Sequence, residues 1–457
     1  MRTPIYDFVT EYAASDTVRL HMPGHKGQPV LGCEARDITE ISGADALYEA
    51  SGIIAESEAN ATDLFGTGRT FYSTEGSSQC VRAMLELARR WWQEKNGTAR
   101  KTERPVVVAA RNAHKAFLYV AILLDFDIVW LWPEEKNASL CSCVVTEETL
   151  KKVLSEIGDA VAAVYLTSPN YLGGLADISA LAAVCHKHDT LLLVDNAHGA
   201  YLHFLENSLH PMDLGADLCC DSAHKTLPVL TGGAYLHISK IAPRQLQEWG
   251  KGALELFGST SPSYLILQSL DFCNRYLAEG YKERLLVKVC GQLETVKKHL
   301  TAAGWQVEET DPLRITIKAP GGLTGTELAE QLRNHQIECE YADEDYLVLM
   351  ATPENSVQDF DRLLAAMGEN NYSLEIENSD KKIPLSVHAE QVMSVREAYF
   401  SEGETIPVHV AQGRICRMPT ATCPPAIPVV VPGERIDEAA VKSFIYYGIN
   451  FVEVVKE

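Results

Sequence analysis

Between residues 104 and 240, short apolar runs alternate with stretches whose apolar residues recur at helical spacing, the pattern of strands joined by helices. The runs are 105–110 (PVVVAA), 127–132 (DIVWLW), 162–167 (AAVYLT), 190–197 (TLLLVDNA), 216–222 (ADLCCDS) and 233–238 (GAYLHI). Their apolar residues are consecutive rather than alternate, which predicts parallel strands covered by helices on both faces. Asp177 stands where it can cap a helix starting at Ile178. Upstream, Ser73-Thr74-Glu75-Gly76-Ser77-Ser78 leads into a helical pattern from Gln79 to Lys95, with Val81, Met84, Leu85, Leu87, Ala88 and Trp91 as its apolar positions. A small-residue loop that opens a helix offers free N–H groups and the positive end of the dipole to an anion.

After about residue 262 a long helical stretch runs to Leu300, and then the pattern changes. Arg314 to Lys318 alternates like a strand with an exposed face, Thr324 to Asn334 repeats like a helix, and Asp345 to Met350 reads as another strand. The sequence therefore predicts an α/β protein: an arm over 1–20, a large domain with a mainly parallel sheet over 21–300, and a smaller α+β region over 301–457. The polar stretch 368–382 is the expected linker, and 419–432 is rich in proline.

Charge and composition remove several function classes. Forty Lys+Arg against 62 Asp+Glu give a net charge of −22, which argues against nucleic acid as a partner. The N-terminus lacks the basic start and apolar core of a secretion signal. The most apolar stretch, Val120 to Trp132, is broken by Asp125 and Asp127 and is too short to cross a membrane. Twelve scattered cysteines read as reduced thiols of a cytoplasmic protein. Cys141-x-Cys143 and Cys219-Cys220 lack the spacing and the second pair of a zinc site, so no metal is expected. Gly66-Thr67-Gly68 is too short for a dinucleotide fingerprint, and the absence of a Gly-x-Ser-x-Gly elbow discounts a hydrolase.

Two apolar runs end abruptly in ionisable residues, Asp195-Asn196-Ala197-His198-Gly199 and Asp221-Ser222-Ala223-His224-Lys225-Thr226. Ligands collect at the carboxyl ends of parallel strands, so both groups should face one crevice. A lysine there can be a snorkelling surface residue or a nucleophilic amine, and Asp195 can be a cap or a functional carboxylate. Together with the Gly76-Ser77-Ser78 loop they match one cofactor, pyridoxal 5'-phosphate (PLP). It needs a lysine for its aldehyde, a carboxylate for its ring nitrogen and N–H donors for its phosphate. His114, just past the run 105–110, can cap the next helix or stack on a flat ring.

At these residues the chain resembles the ornithine/lysine/arginine decarboxylase family, PLP enzymes of the fold type I, aspartate-aminotransferase-like class. The likeness runs through Pro23-Gly24-His25-Lys26-Gly27, Asp37-Ile38-Thr39-Glu40, Phe71 to Gln79, Arg111-Asn112-Ala113-His114-Lys115, Val194 to Ala200, Ser222 to Leu227, Ser259-Thr260-Ser261-Pro262, Pro424 to Pro428 and Val431 to Glu434. The resemblance implies Lys225 as the lysine that carries PLP and Asp195 as the partner of its ring nitrogen. It implies Ser77, Ser78, Ser222 and His224 as phosphate ligands, with Thr260 reaching the phosphate from a neighbouring subunit. His114 would stack on the ring, His198 would lie beside the cofactor near Asp195, and Glu340 would meet the distal cation of the substrate. Departures from the family pattern fall at Leu47-Tyr48, Gly76-Ser77-Ser78, Asn196 and Thr231 to Ala234, and spare the covalent and charged contacts of the cofactor.

The activity implied is decarboxylation of lysine, arginine or ornithine to an amine that feeds polyamine biosynthesis. The small-molecule amino acid is the partner expected, with a homodimer whose active site lies at the subunit interface. Transamination or another amino-acid lyase reaction on the same cofactor, and a silent regulatory homologue, are the alternatives.

Overall fold

The computed structural model describes residues 1–97, 103–134, 139–368, 387–420 and 425–457. All of the expected linker except Gly368 lies outside the described residues, as does Pro424. The chain forms two compact units. The first comprises Met1–Pro105, Leu154–Leu166 and Asp177–Leu286, and the second Val106–Val153, Thr167–Ala176 and Val287–Glu457.

In the first unit, strands β1 (Arg69–Ser73), β2 (Val161–Thr167), β3 (Leu191–Asp195), β4 (Leu218–Asp221) and β5 (Ala234–Ile238) lie in the order β1-β5-β4-β3-β2. β3 and β4 run parallel, with Asp195 opposite Cys220. β5 runs antiparallel to both β4 and β1, which corrects the expectation that every apolar run forms a parallel strand. Residues 222–233 hold one helical turn, Ala223–Thr226, too little for the helical crossover that a parallel return requires. β1 shows no strand pattern in the sequence because Thr70 and Ser73 are as buried as Phe71 and Tyr72. Hydrogen bonds satisfy them: Thr70 to His237 at 2.9 Å, Ser73 to Gln79 at 2.5 Å.

The helices of this unit begin with α1 (Pro4–Ala14), α2 (Ile53–Leu64), α3 (Ser77–Asn96) and α4 (Ile178–Lys187). α5 is the Ala223–Thr226 turn, and α6 (Arg244–Glu255) and α7 (Tyr264–Ala278) follow. α3 packs on α6 and on β1, β3, β4 and β5, burying Val81, Met84, Leu85, Leu87 and Ala88. Trp92, rather than Trp91, takes the last buried place. Asp177 caps α4 by accepting the Ala180 N–H at 3.0 Å. The long helical stretch expected after 262 is broken: α7 stops before Gly280, which adopts φ +88°, a backbone state that favours glycine. α1 docks against α2 and α7, where Asp271 Oδ2 accepts the N–H groups of Ile5 and Tyr6, both at 2.9 Å, and Oδ1 accepts Ser57 at 2.5 Å. Burial pushes the Asp271 carboxyl up to about 6.

The second unit holds the parallel pair Val106–Ala110 and Asp127–Leu131. It also holds a four-stranded antiparallel sheet in the order Tyr341–Ala342, Tyr346–Met350, Arg314–Lys318, Gln306–Val307. Gly325–Asn334 is helical, opened by a Thr324/Glu327 capping box. Arg314 to Ile317 has no exposed face, which corrects the sequence expectation. Arg314 bonds the carbonyls of Asn170 and Tyr171 at 2.6 and 3.0 Å, and Thr316 that of Leu172 at 2.7 Å, so a chain segment covers the polar side. Arg111 lies over the rings of Trp130 and Trp132, bonds the carbonyls of Pro428 and Val429, and pairs with buried Glu434 at 3.2 Å. The motif around residue 111 thus meets the C-terminal one.

Candidate active site

In the first unit, β3 ends at Asp195 and β4 at Asp221, so the chain leaves two adjacent parallel strands carrying chemistry at the same sheet edge. Asp195 is 4% exposed. The Tyr165 hydroxyl, from inside β2, donates to its Oδ2 at 3.0 Å, and the Ala197 N–H and Cys220 thiol reach Oδ1 at 3.2 and 3.5 Å. Burial, with Asp195 beside it, pushes the Tyr165 phenol well above its usual value, so it remains a donor. A phenol, a peptide and a thiol are neutral. The buried carboxylate has no cation among these partners.

Past Asp221, Ser222 opens the one-turn helix α5, in which His224 and Lys225 are half-buried while Ala223 and Thr226 are buried. Lys225 Nζ stands 2.7 Å from Nε2 of His198, itself buried three positions beyond the β3 end. His224 is turned to the Gly233 carbonyl, which its Nδ1 meets at 3.0 Å. Burial lowers the pKa of His224, and the neighbouring Lys225 charge adds to that. The hydroxyl of Ser222 donates to Ser77 Oγ at 2.8 Å, tying this turn to the first residue of α3. Gly76 caps α3 with φ +73° and offers no side-chain bond, and a Cβ there would meet nothing within 4 Å. Ser77 and Ser78 are half-buried at an open, uncapped helix start.

This donor set fits PLP. An amine beside an imidazole can hold its aldehyde, the buried carboxylate oriented by Tyr165 suits its protonated ring nitrogen, and the helix start with three serines suits its phosphate. Seven expected residues, Ser77, Ser78, Asp195, His198, Ser222, His224 and Lys225, belong to this one unit. Thr260 belongs to it too but is exposed, next to Ser259, whose N–H is bonded to the Glu75 carboxylate. His114 and Glu340 belong to the second unit. His114 caps the helix Lys115–Leu124, its Nδ1 accepting the Ala116 N–H at 3.1 Å, which is the capping alternative. Glu340 is half-buried and accepts the Tyr171 hydroxyl at 2.8 Å. Sequence reasoning missed Tyr165 because it sits mid-run in an apolar strand, where a tyrosine reads as core.

A sheet with one reversed strand, and a lysine one short turn past a parallel strand, place the protein in the fold type I, aspartate-aminotransferase-like class. A structure of SPT with a PLP internal aldimine, 16% identical, superposes with a TM-score of 0.52 over 69% of this chain and 75% of that one. Agreement is closer with the lysine decarboxylase of Francisella novicida: TM-score 0.80, 16% identity, 99% of this chain and 81% of that one. The major domain of Orn/Lys/Arg decarboxylases matches residues 3–320 and their C-terminal domain residues 380–454, and the chain belongs to that family. The arginine decarboxylase of Bacillus subtilis is similar at 27% identity, over 98% of this chain and 94% of the relative.

Proposed function

We propose that the protein is a PLP-dependent decarboxylase that converts a basic L-amino acid, arginine, lysine or ornithine, to its amine and CO₂. The observation that carries this is the Lys225–His198 contact at 2.7 Å, with a buried Asp195 at the end of β3 that accepts the Tyr165 hydroxyl at 3.0 Å. Bound here, PLP supplies an aldehyde that links to amines and a protonated ring that accepts the electron pair left when CO₂ departs. Lys225 holds the aldehyde between turnovers, and His198 takes the ammonium proton so that the amine is nucleophilic. Asp195, oriented by Tyr165, keeps a proton on the ring nitrogen. Ser77, Ser78, Ser222 and the start of α3 hold the phosphate, and Lys225 or His198 returns a proton to Cα. Glu340, with one oxygen held by Tyr171, faces the substrate's distal cation, and His114 stacks on the ring. Thr260, exposed in the single chain, serves the phosphate of a second copy in a homodimer. The enzyme works in the cytoplasm and its amine feeds polyamine synthesis.

The test is to supply the PLP-loaded protein with arginine, lysine and ornithine and to measure amine, CO₂ and keto acid. One amine with equimolar CO₂ is expected, whereas a keto acid product would replace this proposal with transamination. Lys225→Ala should reduce turnover by at least roughly 10³-fold and end covalent retention of PLP after borohydride treatment.

A further inference from the structure

Among the described residues, His210, Cys219 and Asp221 form a set of potential metal ligands. Their geometry is that of a hydrogen-bonded cluster around one buried anion. Asp221 Oδ1 accepts Asn196 Nδ2 at 2.6 Å, and Oδ2 accepts His210 Nε2 and His237 Nε2 at 2.9 and 3.1 Å. The Met212 N–H donates to His210 Nδ1 at 3.3 Å, and the Thr70 hydroxyl reaches His237 Nδ1 at 2.9 Å. With Nδ1 accepting in both rings, each imidazole gives its Nε2 proton to Asp221. Burial alone would push Asp221 up, but the two imidazoles outweigh it and hold the carboxyl far below its usual range.

Asn196 is the member of this cluster that reaches the active site. It follows Asp195 directly, its N–H bonds the Cys220 carbonyl at 3.0 Å, and it is fully buried. Among the described residues its Oδ1 has no partner, and a Cβ on Gly199 would stand 1.9 Å from that oxygen, so Gly199 is needed to admit the side chain. An unpaired acceptor in the core disfavours an amide here. Its donor, seated on Asp221, must offset that cost, and this bond links the strand end carrying Asp195 to the one carrying Ser222 and Lys225.

We propose that Asn196 is a positioning residue whose amide, anchored on Asp221, fixes Asp195 relative to the Ser222–Lys225 turn. The inference rests on the decarboxylase proposal above.

Asn196→Leu removes the donor without adding charge, and Asn196→Asp restores a donor only when its carboxyl is protonated, so that two carboxyls share one proton. Besides the imidazoles, the titratable groups facing Asp221 are the thiols of Cys80, Cys219 and Cys220 and the phenol of Tyr235. Burial pushes all four up, so they stay protonated through pH 8.5. Asp195, next in the chain, is held by Tyr165.

Two readouts are followed at pH 6 and 8.5: PLP affinity of the cofactor-free proteins by fluorescence, and kcat and KM of the loaded ones. Asn196→Leu should lose about tenfold in PLP affinity and in kcat at both pH values with KM unchanged. Asn196→Asp should show the same loss at pH 8.5 and return to within about threefold of wild type at pH 6. Asn196→Leu alone suffices if Asn196→Asp does not fold at the higher pH. Wild-type affinity and kcat in Asn196→Leu, or no acid recovery in a folded Asn196→Asp, overturns the inference while leaving the decarboxylase proposal standing. His237→Leu strips a different donor from Asp221, and an equal loss there would show general loosening and also overturn it. A wild-type protein that neither binds PLP nor releases CO₂ overturns the decarboxylase proposal itself.

Discussion

Asp195 and Lys225 stood out in the sequence because apolar runs that end in ionisable residues can mark a ligand site, although residue type alone leaves a cap and a snorkelling lysine open. What orients Asp195 was not legible. Tyr165 is one apolar-looking residue within a buried strand, and only the folded sheet brings its hydroxyl to 3.0 Å from the carboxylate. A hydrogen bond to a charged group contributes about 1.5–3 kcal/mol. Tyr165→Phe should therefore lower kcat/KM roughly ten- to a hundredfold and leave the fold intact by circular dichroism. An unchanged kcat/KM would mean that the strand alone orients Asp195. His114 illustrates the opposite limit, since one imidazole serves both as a helix cap and as an expected ring partner, and residue type does not separate the two.

At the level of elements, the α/β alternation was readable from consecutive apolar positions. Two of the misreadings share a cause: polar residues buried and satisfied by hydrogen bonds. Thr70 and Ser73 hid β1, and Arg314 and Thr316 imitated an exposed face. α1 gives a pH-dependent example. Asp271, which accepts the N–H groups at its start, titrates near 6 in the fold against a usual value of 3.8. Between about pH 4 and 6 the folded chain keeps a proton that the unfolded chain has lost, so this contribution to stability falls as pH rises and is flat above. Asp271→Asn removes the titration. The stability of the wild type relative to this variant should fall by on the order of 2–3 kcal/mol from pH 4 to pH 7, read by chemical denaturation. A pH-independent difference would show that burial does not perturb this carboxyl.

For the molecule as a whole, the order of motifs along the chain was the clearest signal, and the family match covers residues 3–320 and 380–454. The sequence did not reveal why the 111 motif and the 434 motif occur together. Arg111 and Glu434 form a buried pair, and burial pushes the glutamate up even though the guanidinium pulls it down. Glu434→Ala strands the arginine and should cost about 3–5 kcal/mol in urea denaturation, and a loss below about 1 kcal/mol would contradict a buried pair. The partners are 323 residues apart in sequence. During synthesis the ribosome delivers Arg111 long before its carbonyl and carboxylate ligands. The second unit therefore cannot complete this contact until Glu434 has been made, and a nascent chain stalled before Pro428 exposes the tryptophans meant to flank that arginine to whatever chaperone reaches them first.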